Sequence, residues 1–205
     1  MTKERLESLI AKKKKEEDPS ALEFLESLKS SLEKWGNLTA KQISAFERIE
    51  YLSSKEGMQY AEAWQKEYVE NLTEKAKVCA KYYLANPPYF NDLSTKILSQ
   101  SDFVPTEKQY RALCENKYTT RVLKEAAREP SYATGDIVQV RDATTMPYHL
   151  YPLRGKPCVV IENDTGAITT HAVGAKLYRV LPFGQSTTVD CQERYLKGFK
   201  RPKTA

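Results

Sequence analysis

The sequence is poor in the residues and motifs that carry most metal and enzymatic chemistry. It has only two histidines, His149 and His171, and neither lies in an H-E-x-x-H motif or at ligand spacing from a second histidine or cysteine. Glycine-rich phosphate loops and the G-x-S-x-G nucleophile motif are also absent. The sequence therefore predicts no catalytic residue, no metal site and no cofactor, and we expect a protein that is not an enzyme.

Closely spaced cysteines and long apolar runs are also lacking. The cysteines lie far apart without a C-x-x-C pair, which argues against a zinc site and against a secreted disulfide scaffold: Cys79, Cys114, Cys158 and Cys191. No apolar run approaches the roughly 18 residues of a membrane span, and the N-terminal stretch has no apolar signal-peptide core. We therefore expect a cytoplasmic protein (in the host cytoplasm if it is viral) that has reduced thiols and no membrane contact.

Positive charge is present in excess, and the C-terminal part of the chain carries most of it. The net charge is +5, and residues 131–205 hold ten Lys or Arg against six Asp or Glu. From Arg194 onward there are five basic residues and no acidic one. Such a distribution is typical of a surface that meets an anionic partner.

The N-terminal two-thirds of the chain has helical periodicity. Asp18-Pro19 is a helix-start signal, with Asp as N-cap and Pro at the first helical position. Apolar residues then recur every three or four positions as far as Trp35, and Gly36 is suited to a left-handed helix end. Before this helix, residues 1–18 are interpreted as a solvated, charged N-terminal arm with a short helix over 3–16, and a nucleic-acid or targeting contact is the alternative.

A T-x-K-Q phrase occurs twice, at Thr39–Gln42 and at Thr106–Gln109. Thr and Gln three residues apart form a capping box, so both copies predict a helix start. Between them, a periodic stretch from Ser54 to about Leu84 predicts one long helix. Residues 19–130 are therefore predicted to be a helical domain in which a duplicated helical hairpin is joined by that long helix.

The periodicity changes from helical to strand-like at Gly135. Alternating or short apolar runs predict five strands at 135–141, 157–162, 167–172, 176–181 and 186–191. Five short strands are enough to close a small barrel. The predicted fold class is α+β, with a five-stranded barrel over 131–197 and a basic tail over 198–205.

This C-terminal part resembles the SH3-like small barrel, and it is closest in style to KOW-type barrels of transcription and translation factors. The resemblance covers residues 134–197 and depends on Gly135-Asp136, on Arg154-Gly155-Lys156 and on the Glu193–Leu196 turn, within the phrases GDIVQVR, RGKPCVVIEND, GAKLYRVLPFG and VDCQERYLK. It implies binding to RNA or to a polymerase. The helical part, with LTAKQ and VPTEKQ, resembles helical segments of small phage-encoded accessory proteins, which implies a phage origin.

Basic and aromatic residues of the C-terminal part are the candidate nucleic-acid contacts. Basic side chains neutralise phosphates, and tyrosine rings offer faces on which bases stack. The predicted site comprises Arg141, Arg154, Lys156, Arg194, Lys197, Lys200, Arg201, Lys203, Tyr148 and Tyr151.

The favoured function is a non-enzymatic accessory factor in replication, repair or transcription. It would bind nucleic acid or a nucleic-acid-processing protein of the polymerase class, and no small-molecule substrate is evident. The alternative is a protein–protein adaptor or virion-structural protein that uses the helical domain as its interface.

Overall fold

The structure, a computed structural model, describes residues 3–199. Within these residues it contains eight α-helices and one five-stranded antiparallel sheet, which confirms the α+β class. The chain divides into two compact units, Met1–Glu67 and Tyr68–Ala205. Among the described residues, no helix has the length and apolar character that crossing a bilayer requires.

The first unit is helical. Helix α1 packs against α2, and α3 packs against both α2 and α4; their bounds are α1 (Lys3–Lys15), α2 (Pro19–Trp35), α3 (Ala40–Leu52) and α4 (Lys55–Glu67). The core holds Leu6, Leu9, Ile10, Leu25, Leu28 and Phe46. The segment interpreted as a charged arm therefore contributes three side chains to this core, while its charged residues lie mainly on the exposed side of α1.

The helix-start and helix-end signals act as the sequence predicts. The Asp18 carboxylate accepts a hydrogen bond from the Ala21 N–H at 3.1 Å. Gly36 ends α2 with φ = +72°, and its N–H donates to the Leu32 carbonyl. Both T-x-K-Q phrases form complete capping boxes, at Thr39 with Gln42 and at Thr106 with Gln109.

The second unit begins with a π-helical segment, Tyr68–Leu72, that leads into α5 (Thr73–Leu84). The predicted helix from Ser54 to Leu84 is thus found as α4, this π-helical segment and α5 in succession. Three further helices each pack against α5: α6 (Asn91–Ser99), α7 (Glu107–Cys114) and α8 (Lys117–Ala127). In the predicted duplication, α2 and α6 are corresponding helices, since each precedes a T-x-K-Q phrase. However, α6 packs mainly on α5 whereas α2 packs mainly on α1, so a duplicated hairpin is not confirmed.

The sheet has the strand order β4-β3-β2-β1-β5, and it is not closed, so a barrel is not confirmed. Four of its strands lie where alternation predicts them: β1 (Ile137–Val140), β2 (Pro157–Asn163), β3 (Leu177–Pro182) and β4 (Val189–Gln192). The fifth strand is β5 (Leu196–Gly198), which pairs with β1. The inward side chains of these strands, including Val138, Val160 and Tyr178, form the core of the sheet.

The predicted strand at 167–172 is wrong. This segment is irregular, and its apolar and aromatic residues pack on helices instead of joining the sheet. Ile168 is buried, the Thr169 carbonyl accepts a hydrogen bond from Asn86, and the His171 ring lies edge-on to Tyr82 and Tyr118. A short apolar run does not reveal whether it packs on a strand or on a helix, which explains the error.

A buried carboxylate, Glu193, joins the sheet to the segment that follows α8. It lies in a 3-10 turn (Glu193–Tyr195) between β4 and β5. It accepts hydrogen bonds from the Tyr178 hydroxyl at 2.8 Å, from the Ser131 N–H at 3.1 Å and from the Ser131 hydroxyl at 2.8 Å. The Arg128 guanidinium donates to the same carboxylate at 2.6 Å.

A second buried carboxylate, Glu125 on α8, shares the same guanidinium. Arg128 Nη2 lies 2.8 Å from Glu125 Oε1, which also accepts the backbone N–H groups of Gly174 at 3.0 Å and Ala175 at 3.2 Å. Gly174 has φ = +75°, and a Cβ there would lie 3.0 Å from the backbone nitrogen of Arg194. Glycine is therefore required at this position to bring the 174–175 amides onto α8.

The hydrogen bonds decide the ionisation of both carboxylates. Burial alone would raise the pKa of Glu193, but donors from Ser131, Tyr178 and Arg128 bring it below the ordinary value of 4.5. The pKa of Glu125 is lowered in the same way, because Arg128 and the Gly174 amide outweigh burial. Burial raises the pKa of Tyr178, so its hydroxyl stays protonated and donates to Glu193.

Replacing Glu193 by Gln is expected to lower the free energy of unfolding by about 3 kcal/mol near neutral pH, because Arg128 loses a buried partner. Since the folded pKa of Glu193 is depressed, its stabilisation is present above about pH 4.5 and is lost as the pH falls through the folded pKa. Urea denaturation followed by circular dichroism should therefore show that wild type and Glu193→Gln differ most near neutral pH and converge in acid.

The matched control is Glu129→Gln, at an exposed position whose carboxylate forms no hydrogen bond or ion pair among the described residues. It should change the free energy of unfolding by less than about 0.5 kcal/mol. Equal, pH-independent effects of the two substitutions would contradict this account of Glu193.

Candidate nucleic-acid interface

The loop between β1 and β2 holds both tyrosines and three of the eight basic residues that the sequence singles out. Its centre is a 3-10 helix, Tyr148–Leu153, which begins after Pro147. Because a 3-10 helix has three residues per turn, Leu150 and Leu153 face the same way, and both are buried in the core of the sheet together with Met146. The loop is thereby attached to the sheet, and the Tyr148 ring remains 86% exposed.

Tyr148, Tyr151 and Arg154 pack on one another, and we call them the tyrosine–arginine stack. The two rings meet edge to face with centroids 5.7 Å apart, and the Arg154 guanidinium lies 4.4 Å from the Tyr151 ring centroid. Arg154 Nη2 also donates to the Ala143 carbonyl at 2.8 Å. These contacts hold the rings and the cation in place before any ligand arrives.

Three further cations lie around the C-terminal end of β1. Arg141 follows the strand, and its Nε donates to the Leu196 carbonyl at 2.7 Å. Lys156 precedes β2, and its carbonyl accepts the Val140 N–H, while Lys197 pairs with Gln139 across β1 and β5. All three side chains are exposed, and within residues 3–199 none forms an ion pair. The structure thus brings Arg141, Lys156 and Lys197 to the C-terminal end of β1.

Arg194 is placed apart from the stack. Its guanidinium lies 4.8 Å from the Tyr195 ring centroid, and its backbone N–H donates to the Gly174 carbonyl. The predicted contacts Lys200, Arg201 and Lys203, and with them most of the predicted basic tail, lie outside the described residues.

A second group of cations, none of which is among the predicted contacts, lies on α8. Lys117, Arg121 and Lys124 are exposed, and no acidic side chain in the described part of the chain pairs with them. Their spacing of four and three residues, which places side chains on one helix face, is the signal that could have identified them.

Reactive side chains are scarce in the described structure. Between residues 3 and 199, no three His, Cys, Asp or Glu side chains converge in a way that could hold a metal ion. All four cysteines are free thiols and all four are buried. Burial raises the pKa of Cys158 to about 11 and that of Cys191 to about 12. A hydrogen bond with Cys114, together with burial, raises the pKa of Cys79.

No protein-family model matches the sequence, and no curated protein matches it either.

The four thiols are expected to react with Ellman's reagent far more slowly in the folded chain than in urea, because each is buried and the thiolate is the reactive form. A Thr144→Cys variant, at an exposed loop position, provides the matched control and should react quickly while the chain is folded. Rapid labelling of a native thiol in the folded wild type would contradict this prediction.

Proposed function

We propose that the protein is a non-enzymatic, nucleic-acid-associated accessory factor that binds nucleic acid through the tyrosine–arginine stack and the cations around the end of β1. One observation carries the proposal: an almost fully exposed tyrosine ring is held on an anchored loop beside a stacked guanidinium. The Tyr151 ring contacts this ring edge to face and supports it.

Each part of the surface fits one component of a nucleic acid. A base can stack on the face of the Tyr148 ring. Such stacking tolerates any sequence, because every base has a π face. Arg141, Lys156 and Lys197 are free of ion pairs among the described residues and can neutralise phosphates. Asp142 is the nearby acidic group, with Oδ1 3.7 Å from Arg154 Nε, and it partly offsets that cation.

We interpret the sheet as the SH3-like small barrel that the sequence resembles. In support, β1 lies between β2 and β5, and a single 3-10 turn precedes β5. This interpretation favours a place in replication, repair or transcription, with a polymerase-class protein as a further partner. The four free thiols suit a reducing compartment such as the cytoplasm, and the phage origin stays a prediction from the helical phrases.

The alternative function is supported by a different observation in the first unit. Large apolar side chains are exposed on its helices, among them Trp35 at 69% and also Tyr51, Leu52, Met58 and Tyr60. Exposed apolar groups of this kind mark protein–protein interfaces. An adaptor or virion-structural role would follow if the full chain assembled into a defined oligomer and had no affinity for nucleic acid.

Tyr148→Ala is expected to weaken binding of a labelled single-stranded oligonucleotide about tenfold at low salt, because one stacking face is lost. The matched control is Tyr89→Ala, which removes a tyrosine that is 71% exposed in the same unit but lies outside the stack. Fluorescence anisotropy of the full chain measures both, and the control should bind like wild type.

Lys156→Ala and Lys197→Ala test the electrostatic part of the proposal. Each should weaken binding and reduce the slope of log K against log salt by about one, whereas Lys96→Ala, at an exposed position on α6, should not. No measurable affinity at low salt, or equal loss in the stack variants and their controls, would refute the proposed function.

A further inference from the structure

A groove of about 880 Å³ lies between α8 and the irregular segment that precedes Gly174. Ala127 on the helix and Ala172 and Val173 on the segment line it, so much of its surface is apolar. Val173 is 84% exposed, so its side chain is accessible to a ligand in the groove. The groove shares no residue with the tyrosine–arginine stack or with the cations around the end of β1.

The rim of the groove is cationic. Arg121 and Lys124 contribute to the lining, both are exposed, and neither forms an ion pair within residues 3–199. The carboxylate in the lining, Glu125, is buried and already accepts hydrogen bonds from Arg128 and from two backbone amides. No acidic group of the lining is therefore available to neutralise the rim.

Unused backbone groups lie beside the apolar surface. His171, Ala172 and Val173 belong to no helix or strand. In the described chain, their N–H and carbonyl groups form no hydrogen bond with other backbone groups. Gly174, the next residue, is fixed to Glu125 and to the Arg194 amide, so the segment is held at that end. The backbone groups of residues 171–173 are thus available for hydrogen bonds with an incoming chain.

We propose that this groove binds an acidic peptide segment of a partner protein, with an apolar side chain of the peptide inserted between α8 and Val173. Arg121 and Lys124 are three residues apart, which is about 4.5 Å along the helix axis. In an extended peptide, residues i and i+2 lie on one face about 6.6 Å apart, and residue i+1 points to the opposite face. An apolar residue can therefore point into the groove while the carboxylates on either side of it point toward the rim, where the long Arg121 and Lys124 side chains lie. Apolar contact and charge complementarity would act together.

A protein segment fits this groove better than a nucleic-acid strand does. The described lining includes one ring, His171, and that ring already packs against Tyr82 and Tyr118. Phosphates could pair with the rim, but a phosphate backbone gains nothing from the alanine and valine surface. The apolar part of the groove therefore selects a peptide.

Selection of an mRNA-displayed library of random dodecapeptides against the full chain tests the proposal. Enriched peptides should carry two or more Asp or Glu around a large apolar residue. A fluorescein-labelled copy of the most enriched peptide is then titrated by anisotropy against wild type and against Arg121→Glu/Lys124→Glu, whose affinity should fall at least about tenfold through like-charge repulsion. Val173→Ser should weaken binding by about threefold, because it removes apolar contact.

The matched control is Lys96→Glu/Lys108→Glu, which makes the same change in net charge at exposed lysines on α6 and α7. It should bind the peptide within about twofold of wild type, since its charges lie outside the groove. A second variant, Arg121→Ala/Lys124→Ala, removes the two charges without reversing them. Its circular dichroism should be native, which excludes misfolding, and it should bind the peptide more weakly than wild type does.

The proposal is overturned if no acidic peptides are enriched, or if the groove and control variants bind the peptide equally. If no acidic peptide is selected and Arg121→Glu/Lys124→Glu also binds a labelled oligonucleotide more weakly, the α8 cations are assigned to nucleic acid instead. Normal oligonucleotide binding by the groove variants would leave the proposed function intact, so the two proposals fail separately.

Discussion

Two carboxylates, those of Glu125 and Glu193, share the Arg128 guanidinium inside the second unit. Each belongs to a different layer, since Glu125 lies on α8 and Glu193 lies in the turn between β4 and β5. Burying two such charges is costly unless their lone pairs are satisfied, and here backbone amides, hydroxyls and the guanidinium satisfy them. This network consequently fixes how α8 packs against the sheet.

Both candidate surfaces depend on this arrangement in different ways. The Glu125 bonds to the Gly174 and Ala175 amides draw the preceding segment toward α8, and that segment forms one wall of the groove. The Glu193 turn precedes β5, which pairs with β1 and supplies the carbonyl that Arg141 binds. A single buried network therefore supports a cationic apolar groove on the helical side and an aromatic cationic surface on the sheet.

The local features of the fold could be predicted from the sequence because their causes are local. Thr39 and Gln42 satisfy each other's backbone groups within one turn, and alternation over a few residues is enough to indicate β1 and β2. Helix α1 was harder to interpret, because its lysines suggested a solvated arm while only three apolar side chains indicated its packing.

The remaining features depend on contacts between distant parts of the chain. Nothing near Glu193 in the sequence indicates that it is buried, since Ser131 and Arg128 lie more than sixty positions earlier. The 167–172 segment has the composition of a strand, and only the helices beside it draw it away from the sheet. Of the candidate site, the residue types were predictable, whereas the stacking of Arg154 on Tyr151 follows from the 3-10 helix that contains Tyr151 and ends just before Arg154.

The central claim is that nucleic acid meets the loop between β1 and β2. Hydrogen–deuterium exchange of the full chain, measured by mass spectrometry with and without a single-stranded oligonucleotide at low salt, tests it most directly. The account predicts slower exchange in peptides covering 142–156 and 196–198 and unchanged exchange in peptides covering α1 to α4. Unchanged exchange throughout the chain, or slowing confined to the first unit, would contradict it.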